Sequence, residues 1–181
     1  MSGDELQELH EHAEHAAHDR SMAPVSLTMA TLAVLVAVAS LLGHRAHTEE
    51  VILQNKSTDQ WAYYQAKNIR RHTDDLFADF ASVMAASDPK KMAQLREKYQ
   101  AEANTYRDQQ NEIEAEARKL EDETVHERRR ADRYDLAEVF LEVGLVVTSI
   151  TLLSGRRIFW KTGILFGVIG LVVAGTAPLV S

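Results

Sequence analysis

The chain reads as an all-α membrane protein: three transmembrane helices, with a long antiparallel, coiled-coil-like helical hairpin between the first and the second. Three observations predict this. The apolar residues are pooled in three long stretches near the ends; a charged segment at 44–135 separates the first stretch from the other two; and that segment carries heptad-spaced apolar residues around one strong helix breaker. Such a distribution excludes an ordinary single-core globular domain.

The first 23 residues form an acidic tail that carries His10, His12, His15 and His18. Imidazoles mixed with carboxylates can bind a transition metal or titrate near neutral pH. No three-His tetrahedral set on a fixed backbone and no zincin motif is visible, so no metal site and no cofactor is assigned, and metal or pH sensing stands as a further alternative. Pro24 to Leu42 follows without a charge, about the ~20 residues a helix needs to cross a bilayer. We place the first span at 24–43. Acidic rather than basic residues precede it, which argues against a cleavable leader.

Residues 44–135 contain a single strong interruption, Ser87-Asp88-Pro89. Asp is a favoured N-cap and Pro a favoured first helical residue, so one helix should end near Ala86 and a second begin at Pro89. Before the break, Ala62, Ala66, Ile69, Thr73, Leu76, Phe80 and Val83 recur in alternating steps of four and three. After it, Met92, Tyr99, Tyr106, Ile113 and Leu120 recur every seventh residue, accompanied by Ala103, Ala117, Thr124 and Ala131. These rows predict the two faces that pack against each other. Both helices run from membrane to tip with nearly equal lengths and no internal proline, which predicts a rod reaching ~60 Å or more.

The second span is placed at 136–153 and the third at 162–180, joined by a short basic loop at 154–161. Trp160 and Lys161 there suit a headgroup anchor. Small residues at heptad spacing, Ser26, Ala30, Ala33, Ala37 and Ser40 in the first span and Ala137, Gly144 and Thr151 in the second, predict close packing in lipid. Gly163 and Gly167, then Gly170 and Ala174, repeat the small-xxx-small pattern in the third.

From Asp19 to Glu50, from Asp59 to Thr73 and from Ala131 to Gly163, the chain resembles the bacterial domain-of-unknown-function family 4337. The resemblance implies a bacterial membrane protein of helical character. It implies no activity, substrate or site residue.

Function is less legible than architecture. Cysteine is absent, so there is no disulfide framework, thiolate zinc site or cysteine nucleophile. Twenty Lys and Arg face 27 Asp and Glu, a net charge of −7 without a basic stripe, which argues against a nucleic-acid partner. No nucleophile elbow, P-loop or dinucleotide fingerprint is present, so no catalytic residue is assigned and an enzyme is not expected. The leading expectation is a scaffold or homo-oligomeric interaction module, because a thin two-helix rod buries little apolar area alone. Its partners are the bilayer and either further copies or another membrane protein. Arg128, Arg129, Arg130, Arg133, Arg156, Arg157 and Lys161 are candidate contacts for anionic headgroups.

An alternative is an ion- or proton-conducting assembly that uses Glu138 and Glu142, one turn apart within the second span. Glu142 lies ~9 Å along the axis from the start of that span. Its carboxyl should be met by a backbone carbonyl, a water-filled cavity or its own copies at a subunit interface. Basic residues flanking 44–135 outnumber those on the other side, six against four, which leans towards a cytoplasmic hairpin in a bacterial plasma membrane.

Overall fold

In a computed structural model, the chain is helical throughout the described residues, 3–84 and 88–179, with side chains described from Met22 onward. Helix α1 spans Gly3–Val83, α2 Pro89–Ser154 and α3 Arg157–Thr176, and a 3-10 turn follows at Ala177–Leu179. No strand occurs among the described residues. Each of the three helices is long and apolar enough to cross a membrane. The histidine side chains of the tail and residues 85–87, with Ser87 of the expected tip, lie outside what is described.

The signals that start and stop these helices are local. Asp88 accepts a hydrogen bond at Oδ1 from the Lys91 backbone N–H at 3.2 Å, and its carbonyl accepts one from Met92. Together with Pro89 as first helical residue, this is the N-terminus expected at the breaker. At the other end of α2, the Gly155 N–H donates to the Thr151 carbonyl at 2.9 Å and Gly155 adopts φ +67°, a left-handed cap that L side chains resist. Only Gly155 and Arg156 separate α2 from α3, so Phe159, Trp160 and Lys161 belong to the first turns of α3.

The chain divides into two compact units, one made of residues 1–47 and 128–181 and the other of Thr48–Glu127.

In the first unit the three helices meet through small residues. Gly144 of α2 lies against Gly163 and Gly167 of α3, and Gly170 of α3 lies against Ala137 and Leu141 of α2. Ala137, Gly144, Thr148 and Thr151 are all buried, and the Thr148 hydroxyl donates back to the Gly144 carbonyl at 2.7 Å. The small-residue rows expected in the second and third spans are therefore packing surfaces, used chiefly between α2 and α3. A second layer, Leu32, Ala39 and Leu141 with Leu35, Val36 and Leu145, joins α1 to α2. The first span departs from expectation. Ser26, Ala30, Ala33 and Ala37 are exposed and Ser40 is half-buried, while Val25, Leu32, Ala39, Gly43 and Ala46 turn inward. The larger Leu32 fills space opposite a glycine, closing on Gly167.

In the second unit, the two helical segments contact each other in opposite chain order. The Ser57 hydroxyl lies 3.5 Å from the Ala117 carbonyl, Lys67 sits over the Tyr106 ring at 4.9 Å, and Phe77 stacks on Tyr99 with centroids 5.3 Å apart. On α2 the row expected from sequence faces inward: Ala103, Ile113, Ala117, Leu120 and Thr124 are buried, and Met92, Tyr99 and Tyr106 are half-buried. On α1 the expected row does not. Ala62, Ala66, Ile69, Thr73, Leu76, Phe80 and Val83 are all exposed, and the face turned to α2 carries Leu53, Ser57, Tyr64, Lys67, Arg71, Asp74, Ala78 and Ala81. At 100° per residue the two sets occupy roughly opposite sides of the helix. The physical reason lies on α2, whose inward rings are amphipathic. Tyr106 is matched by the ammonium of Lys67 and Tyr99 by Phe77, contacts an aliphatic row would not supply.

Candidate functional site

Two features stand out from the scaffold, one in each unit. The first is the outward row on α1. Ile69, Leu76, Phe80 and Val83 remain 67%, 69%, 56% and 79% exposed, and Tyr63, Phe77 and Met84 beside them are about half exposed. Scattered apolar residues on a surface are ordinary, but a contiguous row at 3.5-residue spacing is the pattern of a helix that expects another helix. Sequence periodicity located this row correctly and named the wrong occupant for it.

The inward face of the same segment is held by polar contacts. The Trp61 indole N–H donates to Glu121 Oε1 at 2.8 Å, and Tyr64 meets the Trp61 ring edge-on at 5.6 Å. Arg118 lies 5.9 Å from the Trp61 centroid while donating twice to Glu114 Oε1, at 3.1 and 2.8 Å. That hydrogen bond, with the charge of Glu114 behind it, raises the guanidinium pKa further above its ordinary value. Trp61 and Tyr64 are thus engaged in contacts within the unit. Asp74 is less comfortable. Burial first, then the negative charges of Glu102 and Asp75, push its carboxyl above the ordinary value of 3.8 against the pull of Arg70 and Lys98. Gln110, 2% exposed in the α2 row, has neither amide atom hydrogen-bonded.

The second feature is the carboxylate pair of the second span. Glu138 is half-buried and Glu142 exposed, and neither makes a hydrogen bond or ion pair among the described residues. Glu142 therefore does not point into the packed face of α2, which Ala137, Leu141, Gly144 and Thr148 occupy. A polar contact at this end of the unit is made by Asp135, whose Oδ2 lies 2.9 Å from His47 Nε2.

The basic candidates are distributed rather than gathered. Arg128, Arg129, Arg133, Arg156, Arg157 and Lys161 are exposed and Arg130 is half-buried. Trp160, expected as a headgroup anchor, is half-buried and donates its indole N–H to Thr28 Oγ1 of α1 at 3.0 Å. It ties the start of α3 to the first span.

The family model described as domain of unknown function DUF4337 matches residues 21–180, nearly the whole of both units. The chain belongs to this family. No curated protein and no solved structure matches it. In this family member, then, any functional reading must come from its own residues. Among the described residues, the outward row of α1 and the unpartnered carboxylates of α2 are two features its internal packing does not use.

Proposed function

We propose that this protein is a non-enzymatic, membrane-anchored helical module that works by self-assembly: its α1–α2 segment forms an antiparallel, coiled-coil-like hairpin, and hairpins of several copies join. One observation carries the reading. The heptad row from Ala62 to Val83 is exposed although it is the most regular apolar face of its segment. Leaving that face in water while Lys67, Arg71 and Asp74 turn inward is a conflict between local pattern and packing. A partner helix on the outward row removes the conflict. We place the protein in a bacterial plasma membrane with the hairpin cytoplasmic, following the excess of basic residues on the 44–135 side.

Native mass spectrometry of the full chain released from detergent tests the assembly. We expect a defined oligomer, which Leu76→Glu with Phe80→Glu dissociates. A strict monomer with unchanged helicity would count against the reading.

A second reading is supported by the carboxylates. Ionisable residues in a span ordinarily face a protein partner or a water-filled path, and Glu142 is exposed with no hydrogen-bond or ion-pair partner among the described residues. A conducting assembly would place it on such a path. Electrical recording from proteoliposomes separates the two: conductance lost in Glu142→Gln supports conduction, and an electrically silent oligomer supports the scaffold.

A further inference from the structure

Resting on the assembly reading above, we infer that the partner covering the outward row of α1 is the same row of a second copy, paired parallel and in register. Three features of the chain lead there.

The row is long and regular enough to need a helix. Its seven members alternate steps of four and three across three helical heptads, and 3.5-residue periodicity is matched by a second helix wound with it. Within the unit α2 cannot serve, because its own row already packs on the opposite face of α1. The exposed side chains of Ile69, Leu76, Phe80 and Val83 leave on the order of 500 Å² of apolar surface per copy, at the upper end of what a monomer ordinarily shows. Two such rows facing each other would remove at most on the order of 1,000 Å² from water, about the lower bound for a specific interface, before the flanking Tyr63, Phe77 and Met84 are counted.

The edges of the row tolerate self-pairing. Gln65, His72 and Asp79 line one edge, and Arg70, Phe77 and Met84 the other. In a parallel, in-register pair these edges meet as Gln65 with Arg70, His72 with Phe77 and Asp79 with Met84, so no like charges are set together.

The direction follows from the anchor. The row begins nineteen residues after the first span, so copies inserted the same way in one bilayer carry their rows in the same direction. α1 also presents an exposed row in the other unit, where Ser26, Ala30, Ala33 and Ala37 lie at the same four-and-three spacing. Small residues in a span allow two helix backbones to approach closely, and in lipid that close approach replaces the hydrophobic drive. Each of the two rows thus suits a helix–helix contact in its own solvent, water for one and hydrocarbon for the other.

The absence of native cysteine makes the test direct. Single-cysteine variants Ile69→Cys, Leu76→Cys and Asn111→Cys of the full chain are oxidised with copper phenanthroline in native membranes, and the same preparations are sized by native mass spectrometry. Parallel, in-register pairing brings each row residue next to its own copy, within the ~7 Å between Cα atoms that a disulfide tolerates. Ile69→Cys and Leu76→Cys should give a dominant disulfide-linked dimer, and Asn111→Cys, on the exposed side of α2, should not. Dimers at Asn111 but not at the row would overturn the inference. So would an intact oligomer with no cross-link at positions 69 or 76, which would leave self-assembly standing and move its interface elsewhere. Cross-linking in mixtures of Ile69→Cys with Val83→Cys but not in Ile69→Cys alone would establish an antiparallel pair and overturn the direction, since position 76, midway between them, meets its own copy in either direction. A monomer by mass, without cross-links, would remove both the inference and the assembly reading.

Discussion

Gly163 of α3 lies so near Gly144 of α2 that a Cβ added to Gly163 would stand 2.7 Å from the Gly144 carbonyl oxygen. The same Cβ would also strike the Thr148 hydroxyl, which is already committed to that carbonyl. A flexible side chain could yield, but a helix backbone cannot without moving the whole element. The packing of α3 on α2 therefore depends on hydrogen at this position.

Gly163→Ala should accordingly separate α3 from α2 and destabilise the first unit by about 1–3 kcal/mol, the usual cost of overpacking. Gly175→Ala is the matched control, because nothing lies within 4 Å of a Cβ there. It should change stability by no more than about 0.5 kcal/mol. Thermal unfolding of both variants in the same detergent checks the pair, and equal melting temperatures would contradict the close contact.

Asp74 sets a pH dependence in the second unit. Its folded carboxyl titrates above its ordinary value, chiefly through burial. The folded state therefore holds this proton more tightly than the unfolded chain does. Whatever stability that proton supplies is present below the unfolded pKa and is lost as pH rises through the raised folded one. At pH 7, Asp74→Asn should be more stable than the parent by about 0.5 kcal/mol, a value discounted for partial solvent exposure. At pH 3 the advantage should vanish. Urea unfolding followed by circular dichroism at the two pH values would show it, and an equal difference at both would refute the assignment.

Gln110 offers a gain of a different kind. It interrupts the buried α2 row between Ala103 and Ala117 and leaves a full amide without a partner. Gln110→Leu should stabilise the second unit by about 1 kcal/mol, since it removes a desolvated polar group and adds apolar contact. A buried polar residue in a heptad row can also hold the register of its helices. The variant should then show a higher melting temperature with a broader set of inter-helix distances, measurable by paired spin labels at positions 64 and 103. A lower melting temperature would mean that the amide is satisfied in solution.

Much of the architecture was legible in the sequence because it depends on short-range rules. An uncharged run from Pro24 to Leu42 is long enough to cross a bilayer whatever surrounds it. The Asp88 side chain caps α2 through a residue three positions away, and Gly155 ends the same helix by its own backbone freedom. The α2 row was also legible: Ala103, Ile113, Ala117, Leu120 and Thr124 are the heptad positions, and they are buried. Even the separation of Glu138 and Glu142 by one turn follows from numbering alone.

Periodicity, however, marks a face and says nothing of what covers it. The heptad row of Ile69, Leu76 and Phe80 exists in the sequence, yet only tertiary packing turned it outward and brought Lys67 and Phe77 onto the tyrosine rings of α2. Likewise Gly144 was recognisable as a small residue in a span, but its partner could as well have been α1. The match of Gly144, Gly163 and Thr148 decided for α3, because two helix backbones can approach that closely only where both surfaces lack side-chain bulk at the same height. Sequence by itself determined that the chain is helical, that it breaks at Asp88-Pro89 and that three stretches are apolar enough to cross a membrane; tertiary structure decided which face each helix shows, since that choice is settled by side chains far apart in the chain competing for the same space.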